Sequence, residues 1–372
     1  MTINFKDLAL PGIRDLLPYK GGKPIEEVER EFGISKAIKL CSNENPVGLC
    51  PSAKSAIIDA LDSSNRYPDG NGYYLKKKLA KKISVNINQL TLGNGSNDLL
   101  ELIAKSFLGS CHSAIYSQHA FLVYKIVVTA QGAKSIVVDA KNWSHNLPGM
   151  FDSIQDNTRL IFIANPNNPT GTFIKLNEIY DFMENIPENI LVVIDEAYFE
   201  YVYSDGYGSA LNLITQYPNI IVTRSFSKAY GLAALRIGYS ISHPDIAEIL
   251  NRVRQPFNVN SLALVSASAI LDDEKFLKKT VEINSNGYKK LTDGFRQLKL
   301  DFIPSVGNFI TVEMPGDVVS IHKKLLQKGI ITRMVDVYDM PNHLRFSIGL
   351  HNENIALLDN LKELLASRGN NQ

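Results

Sequence analysis

Between about residues 113 and 240 the chain repeats one pattern: a short apolar run rich in β-branched residues, then polar or Gly/Pro positions, then a stretch with helical spacing. The runs lie at 113–117, 135–138, 160–164, 190–194, 220–223 and 237–240. They show little polar alternation, so both faces of each strand are expected to be buried, as in a parallel sheet. Between them, 176–184 reads as a helix after an Asn-Pro-Thr-Gly turn, and 97–108 reads as a helix opened by Asn97 and Asp98. Strand and helix alternate as a doubly wound sheet requires.

From about Leu250 the texture changes. A long helical region is followed by a strand at 309–313, a helix at 318–328 stopped by Gly329, strands at 330–334 and 343–348, and a final helix. This predicts a smaller α+β domain. A chain of 372 residues exceeds the usual span of one hydrophobic core, which also favours two domains. The expected division is 1–47 as an N-terminal arm and part of the small domain, 48–255 as the large α/β domain, and 256–372 as the small domain. The first thirty-odd residues, with Pro11, Gly12, Pro18, Gly21, Gly22 and Pro24, read as an extended arm, and the polar stretch 367–372 reads as a frayed tail.

Composition narrows the function classes. A net charge of +1 with 21% charged residues gives no nucleic-acid surface. The lysines at 76, 77, 78, 81 and 82 interleave with Leu75, Leu79 and Ile83 at helical spacing, as on a solvated helix face. Cys41, Cys50 and Cys111 have neither the number nor the spacing of a disulfide framework or a metal site, so no metal is expected and a reducing cytoplasm fits. Residues 1–18 place Lys6, Asp7, Arg14 and Asp15 among their apolar positions, and no stretch is long and apolar enough to span a bilayer. The expectation is a soluble, unprocessed protein.

Ligands of open parallel sheets bind beyond the carboxyl ends of the strands, so the residues just after each apolar run carry the most information. Three successive runs lead into Asn165-Pro-Asn-Asn-Pro-Thr-Gly171, Asp195-Glu-Ala-Tyr198 and Arg224-Ser-Phe-Ser-Lys228. A carboxylate at the end of a buried strand needs a partner, so Asp195 is either a helix N-cap or the counter-ion of a protonated heterocycle. Lys228 is either a surface lysine or an amine poised to form an imine. Ser225 and Ser227 before it, Gly231, and Arg236 eight residues after it suit a phosphate held beside that amine. The turn Gly93-Asn-Gly-Ser-Asn97 opens a helix whose N–H groups favour phosphate, although it also reads as a plain βα loop. The Asn-rich turn places amides at the sheet edge, and Phe121 is either core packing or a platform for a flat ring.

Taken together, these residues resemble the fold-type I pyridoxal 5'-phosphate (PLP) aminotransferases, and within them the histidinol-phosphate aminotransferase family. The resemblance runs through Leu17-Pro-Tyr19, Asn43-Glu-Asn-Pro-Val-Gly48, Arg66-Tyr-Pro68, Gly93 to Asn97, the Asn-Pro-Thr-Gly turn, Asp195 to Tyr198, Ser225 to Lys228 with Arg236, and Leu344-Arg345-Phe. It implies that Lys228 carries PLP as a Schiff base and then moves a proton, and that Asp195 pairs with the pyridinium nitrogen. It implies that Asn168 and Tyr198 bond the phenolic oxygen, that Phe121 stacks on the ring, and that Gly95, Ser96, Asn97, Ser225, Ser227 and Arg236 hold the phosphate. Tyr67 is implied to reach across from a second subunit, which makes the enzyme a homodimer with shared sites. Tyr19, Asn308, Arg333 and Arg345 are implied to face the substrate. Relatives often carry Tyr where Phe121 stands, and some carry an acid in place of Asn97. Neither change removes the ring face that stacking needs. The reaction implied interconverts histidinol phosphate and 2-oxoglutarate with imidazole-acetol phosphate and glutamate. The alternatives are an aromatic-amino-acid aminotransferase, a threonine-phosphate decarboxylase, or a PLP-binding regulatory module. Retention of both Lys228 and Asp195, and the lack of a DNA-binding segment before the arm, argue against the last of these.

Overall fold

A computed structural model describes residues 3–369. Its centre is a seven-stranded sheet made of β1 (Leu90–Gly93), β2 (Ser113–Ser117), β3 (Lys134–Val138), β4 (Thr158–Ala164), β5 (Leu191–Asp195), β6 (Ile220–Ser225) and β7 (Gly238–Ile241). Its spatial order is β1-β7-β6-β5-β4-β2-β3. All neighbours are parallel except β7, which runs antiparallel to both β1 and β6. The strand residues alternate between two cores. Ile161, Ile163, Val192 and Ile194 face one core, which contains helix Tyr73–Ile83 through Leu75 and Leu79. Leu160, Phe162, Ala164 and Val193 face the other, with Leu100 and Ile103 of helix Ser96–Phe107 and Val127 and Val128 of helix Val123–Ala130. Burial on both faces explains why the strands read as unbroken apolar runs.

The helix Ser96–Phe107 begins earlier than the side chains of Asn97 and Asp98 suggest. Its cap is Gly95 at φ 86°, and no side chain caps the first turn. Asp98 is engaged outside the helix, accepting from the Asn94 N–H at 2.7 Å and the Asn258 amide at 2.8 Å.

The second sheet is antiparallel and contains β8 (Phe302–Ile303), β9 (Phe309–Glu313), β10 (Arg333–Met334) and β11 (His343–Ser347), in the order β10-β11-β9-β8. The single strand expected at 330–334 is two pieces. Ile330–Ile331 pairs in parallel with Ile38–Lys39, and β10 pairs with β11. The arm is also more structured than its Pro and Gly content suggests. It contains a 3-10 turn Phe5–Leu8, a short helix Pro11–Arg14 and a helix Ile25–Phe32 closed by Gly33 at φ 65°. Ile25, Val28 and Phe32 fall on one face of that helix and pack with Cys41, Leu326 and Ile331 in a small cluster of their own.

Helix Ser261–Ile270 lies beyond the division expected at 255/256, yet its Ala263, Leu264, Ala267 and Ile270 pack into the large core. Helix Glu274–Gln297 then joins the two bodies. Phe276 sits in the large core, and Leu291 and Phe295 sit in the small one. The final helix, His351–Gly369, includes the first three positions of the expected polar tail, and the remainder lies outside the described residues. Among the described residues no helix is long and apolar enough to cross a membrane, and no group of His, Cys, Asp and Glu could hold a metal.

Candidate active site

The carboxyl ends of β4, β5 and β6 converge on a cavity of about 330 Å³ between the two bodies. Tyr19, Ser96, Asn97, Phe121, Asn168, Asp195, Tyr198, Ser225, Ser227, Lys228, Arg236 and Arg345 all line it. Residues scattered over more than three hundred positions thus meet: most follow a strand end, Arg236 stands just before β7, Arg345 sits on β11, and Tyr19 comes from the arm.

Asp195 is the last residue of β5 and is 4% exposed. No ion pair among the described residues reaches it. Its Oδ1 accepts from the Ala197 N–H at 3.2 Å and its Oδ2 from the Tyr124 hydroxyl at 3.2 Å. Thr223 faces it with a hydroxyl that has no other partner. Burial pushes its pKa up to about 6, against these hydrogen bonds, which pull it down. The helix N-cap alternative is thereby set aside, because the next element, Phe199–Tyr201, is a short 3-10 turn whose cap is Tyr198 and which has no side-chain cap.

Lys228 is half-buried, and its Nζ donates to the Ser42 carbonyl at 3.1 Å and lies 5.7 Å from the Tyr198 ring centre. Burial, helped by the Arg345 and Arg236 charges, pushes its pKa down to about 8, while Glu44 and Asp195 oppose the shift. About a tenth of the amine is therefore neutral and nucleophilic at pH 7, far more than for an ordinary lysine. Tyr198 accepts from the Asn43 amide at 2.9 Å, and burial pushes its pKa up to about 12, so its hydroxyl keeps a proton to donate.

The anion cradle lies at the far end of the cavity. Ser225 Oγ accepts from the Ser227 N–H at 3.0 Å, and Ser227 Oγ accepts from Arg236 Nη1 at 3.2 Å. Arg236 holds a left-handed backbone at φ 56°, a strained conformation for a side chain of this length. Gly95 packs so closely that a Cβ there would fall on the Arg236 guanidinium. The glycine is needed for this approach as well as for its φ.

Arg345 is 5% exposed, and its Nη1 donates to Asn168 Oδ1 and its Nη2 to the Cys41 carbonyl at 2.7 Å. This leaves the Asn168 amide nitrogen as the group that can donate into the cavity. Three expected site residues stand elsewhere. Arg333 donates to the Lys20 carbonyl and lies 5.3 Å over the Tyr19 ring, so it reaches the cavity only through Tyr19. Asn308 is buried behind the site, where its amide donates to the Asn43 carbonyl at 3.0 Å and holds that segment in place. Tyr67 is 82% exposed and stacks on Phe257 at 4.7 Å, outside its own chain's cavity. Residues to which sequence reading gave no role include Tyr124, Asn43, Ser42 and Tyr338. Asn43 opens the motif that runs to Gly48, and Tyr124 stands three positions after Phe121. Neither has a local signal, because their partners are 155 and 71 positions away.

The chain belongs to the class I and II aminotransferase family, whose model matches residues 35–359. Within that family it belongs with the histidinol-phosphate aminotransferases. It is 51% identical over 368 residues to histidinol-phosphate aminotransferase 2 of Pseudomonas fluorescens Pf0-1, covering 98% of this chain and 100% of that one. It is 50% identical over 363 residues to the Haemophilus influenzae 86-028NP protein of the same name, covering 98% and 99%. The crystal structure of histidinol-phosphate aminotransferase from Sinorhizobium meliloti in complex with pyridoxal 5'-phosphate superposes with a TM-score of 0.88 at 29% identity, covering 96% and 97% of the two chains. A Thermus thermophilus aspartate aminotransferase at 18% identity and TM-score 0.82 shares the fold. The architecture is that of the fold-type I PLP transferases, a large doubly wound, mostly parallel sheet with a smaller α+β body.

Proposed function

We propose that this chain is a PLP-dependent histidinol-phosphate aminotransferase that passes an amino group between L-histidinol phosphate and 2-oxoglutarate. The observation that carries this reading is one cavity that combines a buried carboxylate lacking a cation, a half-buried amine of depressed pKa, and two arginines. Asp195 fits a protonated ring nitrogen, which would supply the cation the fold withholds. Phe121 offers a ring face, Tyr198 and Asn168 offer donors for a phenolate oxygen, and Ser225, Ser227, Arg236, Gly95, Ser96 and Asn97 form a dianion cradle at a helix N-terminus.

When bound, PLP supplies an aldehyde and a protonated ring that withdraws electrons from the carbon bearing the substrate nitrogen. The chain's residues do the rest. Lys228, held by the Ser42 carbonyl, would accept the proton from that carbon and give it back to the cofactor carbon that bore the aldehyde, a role suited to a pKa near the working pH. Tyr198, which keeps its own proton, donates toward the ring oxygen. Arg345 binds the anionic end of each substrate in turn, phosphate in one half-reaction and carboxylate in the other, through the guanidinium N–H groups left over from its bonds to Asn168 and Cys41. Arg333 packs over the Tyr19 ring that lines the entrance.

We further propose that the working form is a homodimer in which Tyr67, exposed on its own chain, completes the neighbouring site. The large body is best drawn to include Ser261–Ile270. Three free cysteines, two of them buried, support a reducing compartment.

The test is the half-reaction. Holoenzyme mixed with L-histidinol phosphate, without an acceptor, should lose the absorbance of its PLP form, and 2-oxoglutarate should restore it. Conversion by phenylalanine alone would remove the substrate assignment and leave a transaminase. Carbon dioxide release from threonine phosphate, with no need of an oxo acid, would make it a decarboxylase.

A further inference from the structure

Tyr124 lies outside the cavity, yet its hydroxyl donates to Asp195 Oδ2 at 3.2 Å, beside the Thr223 hydroxyl that faces the same carboxylate. The ring is wholly buried and clamped. It stacks on Phe162 at 4.9 Å with an interplanar angle of 14°, and meets the edge of Phe121 at 6.0 Å and 89°. Its backbone N–H also donates to the Phe121 carbonyl at 3.0 Å. One residue therefore touches both the carboxylate at the end of β5 and the aromatic ring that lines the cavity.

We propose that Tyr124 is a positioning residue that keeps Asp195 ionised and aimed at the ring nitrogen of the bound cofactor. This rests on the reading of the cavity as a PLP site. In a buried carboxylate–pyridine pair a single proton is shared, and its location depends on the relative basicity of the two partners. A hydroxyl donating to the carboxylate lowers its basicity, so the proton stays on the ring, where it is needed for electron withdrawal. Burial and the Asp195 charge raise the pKa of Tyr124 well above the usual phenol range, so the hydroxyl always has its proton to give. Without it, Asp195 faces the desolvation of its burial with only the Ala197 N–H and Thr223 to offset it, and takes the proton itself.

The experiment compares two cofactors in wild type, Tyr124→Phe and Phe162→Leu. One is PLP and the other is the analogue in which C–H replaces the ring nitrogen. In wild type PLP should bind more tightly than the analogue, and indifference between them would overturn the PLP reading together with this proposal. Tyr124→Phe should weaken PLP by about tenfold, the scale of one hydrogen bond to a charged group, while leaving the analogue within about twofold. Phe162→Leu loosens the ring stack but keeps the hydroxyl, and should keep the preference for PLP. Equal loss of both cofactors in Tyr124→Phe, no loss of either, or collapse of the preference in Phe162→Leu would each overturn the proposal, since packing rather than the hydroxyl would then be responsible.

Discussion

Asp195 is a buried acid that the folded chain leaves without a cation, so it costs the apoprotein stability. Its pKa of about 6 in the fold lies above the ordinary carboxylate value of 3.8. A raised acid binds its proton more tightly when folded. Its penalty is therefore absent below the unfolded value, grows as pH rises through the window from about 4 to 6, and is complete above it. Asp195→Asn removes the charge at constant shape. Thermal unfolding of the apoproteins should show the variant equal to wild type near pH 4 and more stable by roughly 1–3 kcal/mol at pH 8. PLP titration should show the opposite order, with the variant binding more weakly. An apo variant less stable than wild type at pH 8 would mean that the carboxylate has a structural partner in the fold. Asp195 and Lys228 were legible in the sequence because each stands where an apolar run meets polar chemistry. Asn308 and Arg333 were assigned to the substrate by resemblance alone. The first turned out to brace Asn43 from behind, and the second to hold Tyr19 and Lys20.

At the scale of the element, the site is built from strand ends and one helix start. The strand positions were legible to within about two residues, because a run buried on both faces has few other readings. The start of helix Ser96–Phe107 was not, since Gly95 caps it with its backbone alone and Asp98 bonds to Asn94 and Asn258 instead. Helix Ser261–Ile270 is apolar almost all round, so its sequence could not say which core it joins. The Gly95 geometry leads to a sharp expectation. An alanine there meets a φ of 86° and falls on Arg236, the cation of the cradle. Gly95→Ala should weaken PLP binding by at least about tenfold, while pyridoxal, which has no phosphate, binds within about threefold of wild type. Equal effects on the two ligands would place the damage at the ring end of the cavity.

The whole molecule depends on how the small body is strapped to the loop after β4. Val306 N–H donates to the Gly171 carbonyl at 2.9 Å, Thr311 Oγ1 donates to the Pro169 carbonyl, and Arg345 reaches Asn168 across the same gap. Gly171 is the tightest point, since at φ 76° a Cβ would fall on both the side chain and the backbone of Ser305. Backbone on that side cannot yield as a flexible side chain would, so the two bodies must part or the loop must deform. The cofactor residues Lys228, Asp195, Ser225 and Arg236 belong to the large body, whereas Arg345 belongs to the small one. Gly171→Ala should therefore lower kcat/KM for histidinol phosphate by roughly ten- to a hundredfold, about 1.4–2.7 kcal/mol of transition-state stabilisation, while PLP affinity changes by less than about threefold. Trp143, the only tryptophan, lies at this same junction, 5.2 Å from His119 of the large body and 5.2 Å from His343 on β11. Its emission should shift in Gly171→Ala if the bodies separate. Unchanged emission together with lost PLP affinity would instead locate the damage in the loop, and would argue that the small body holds its place through contacts other than this strap.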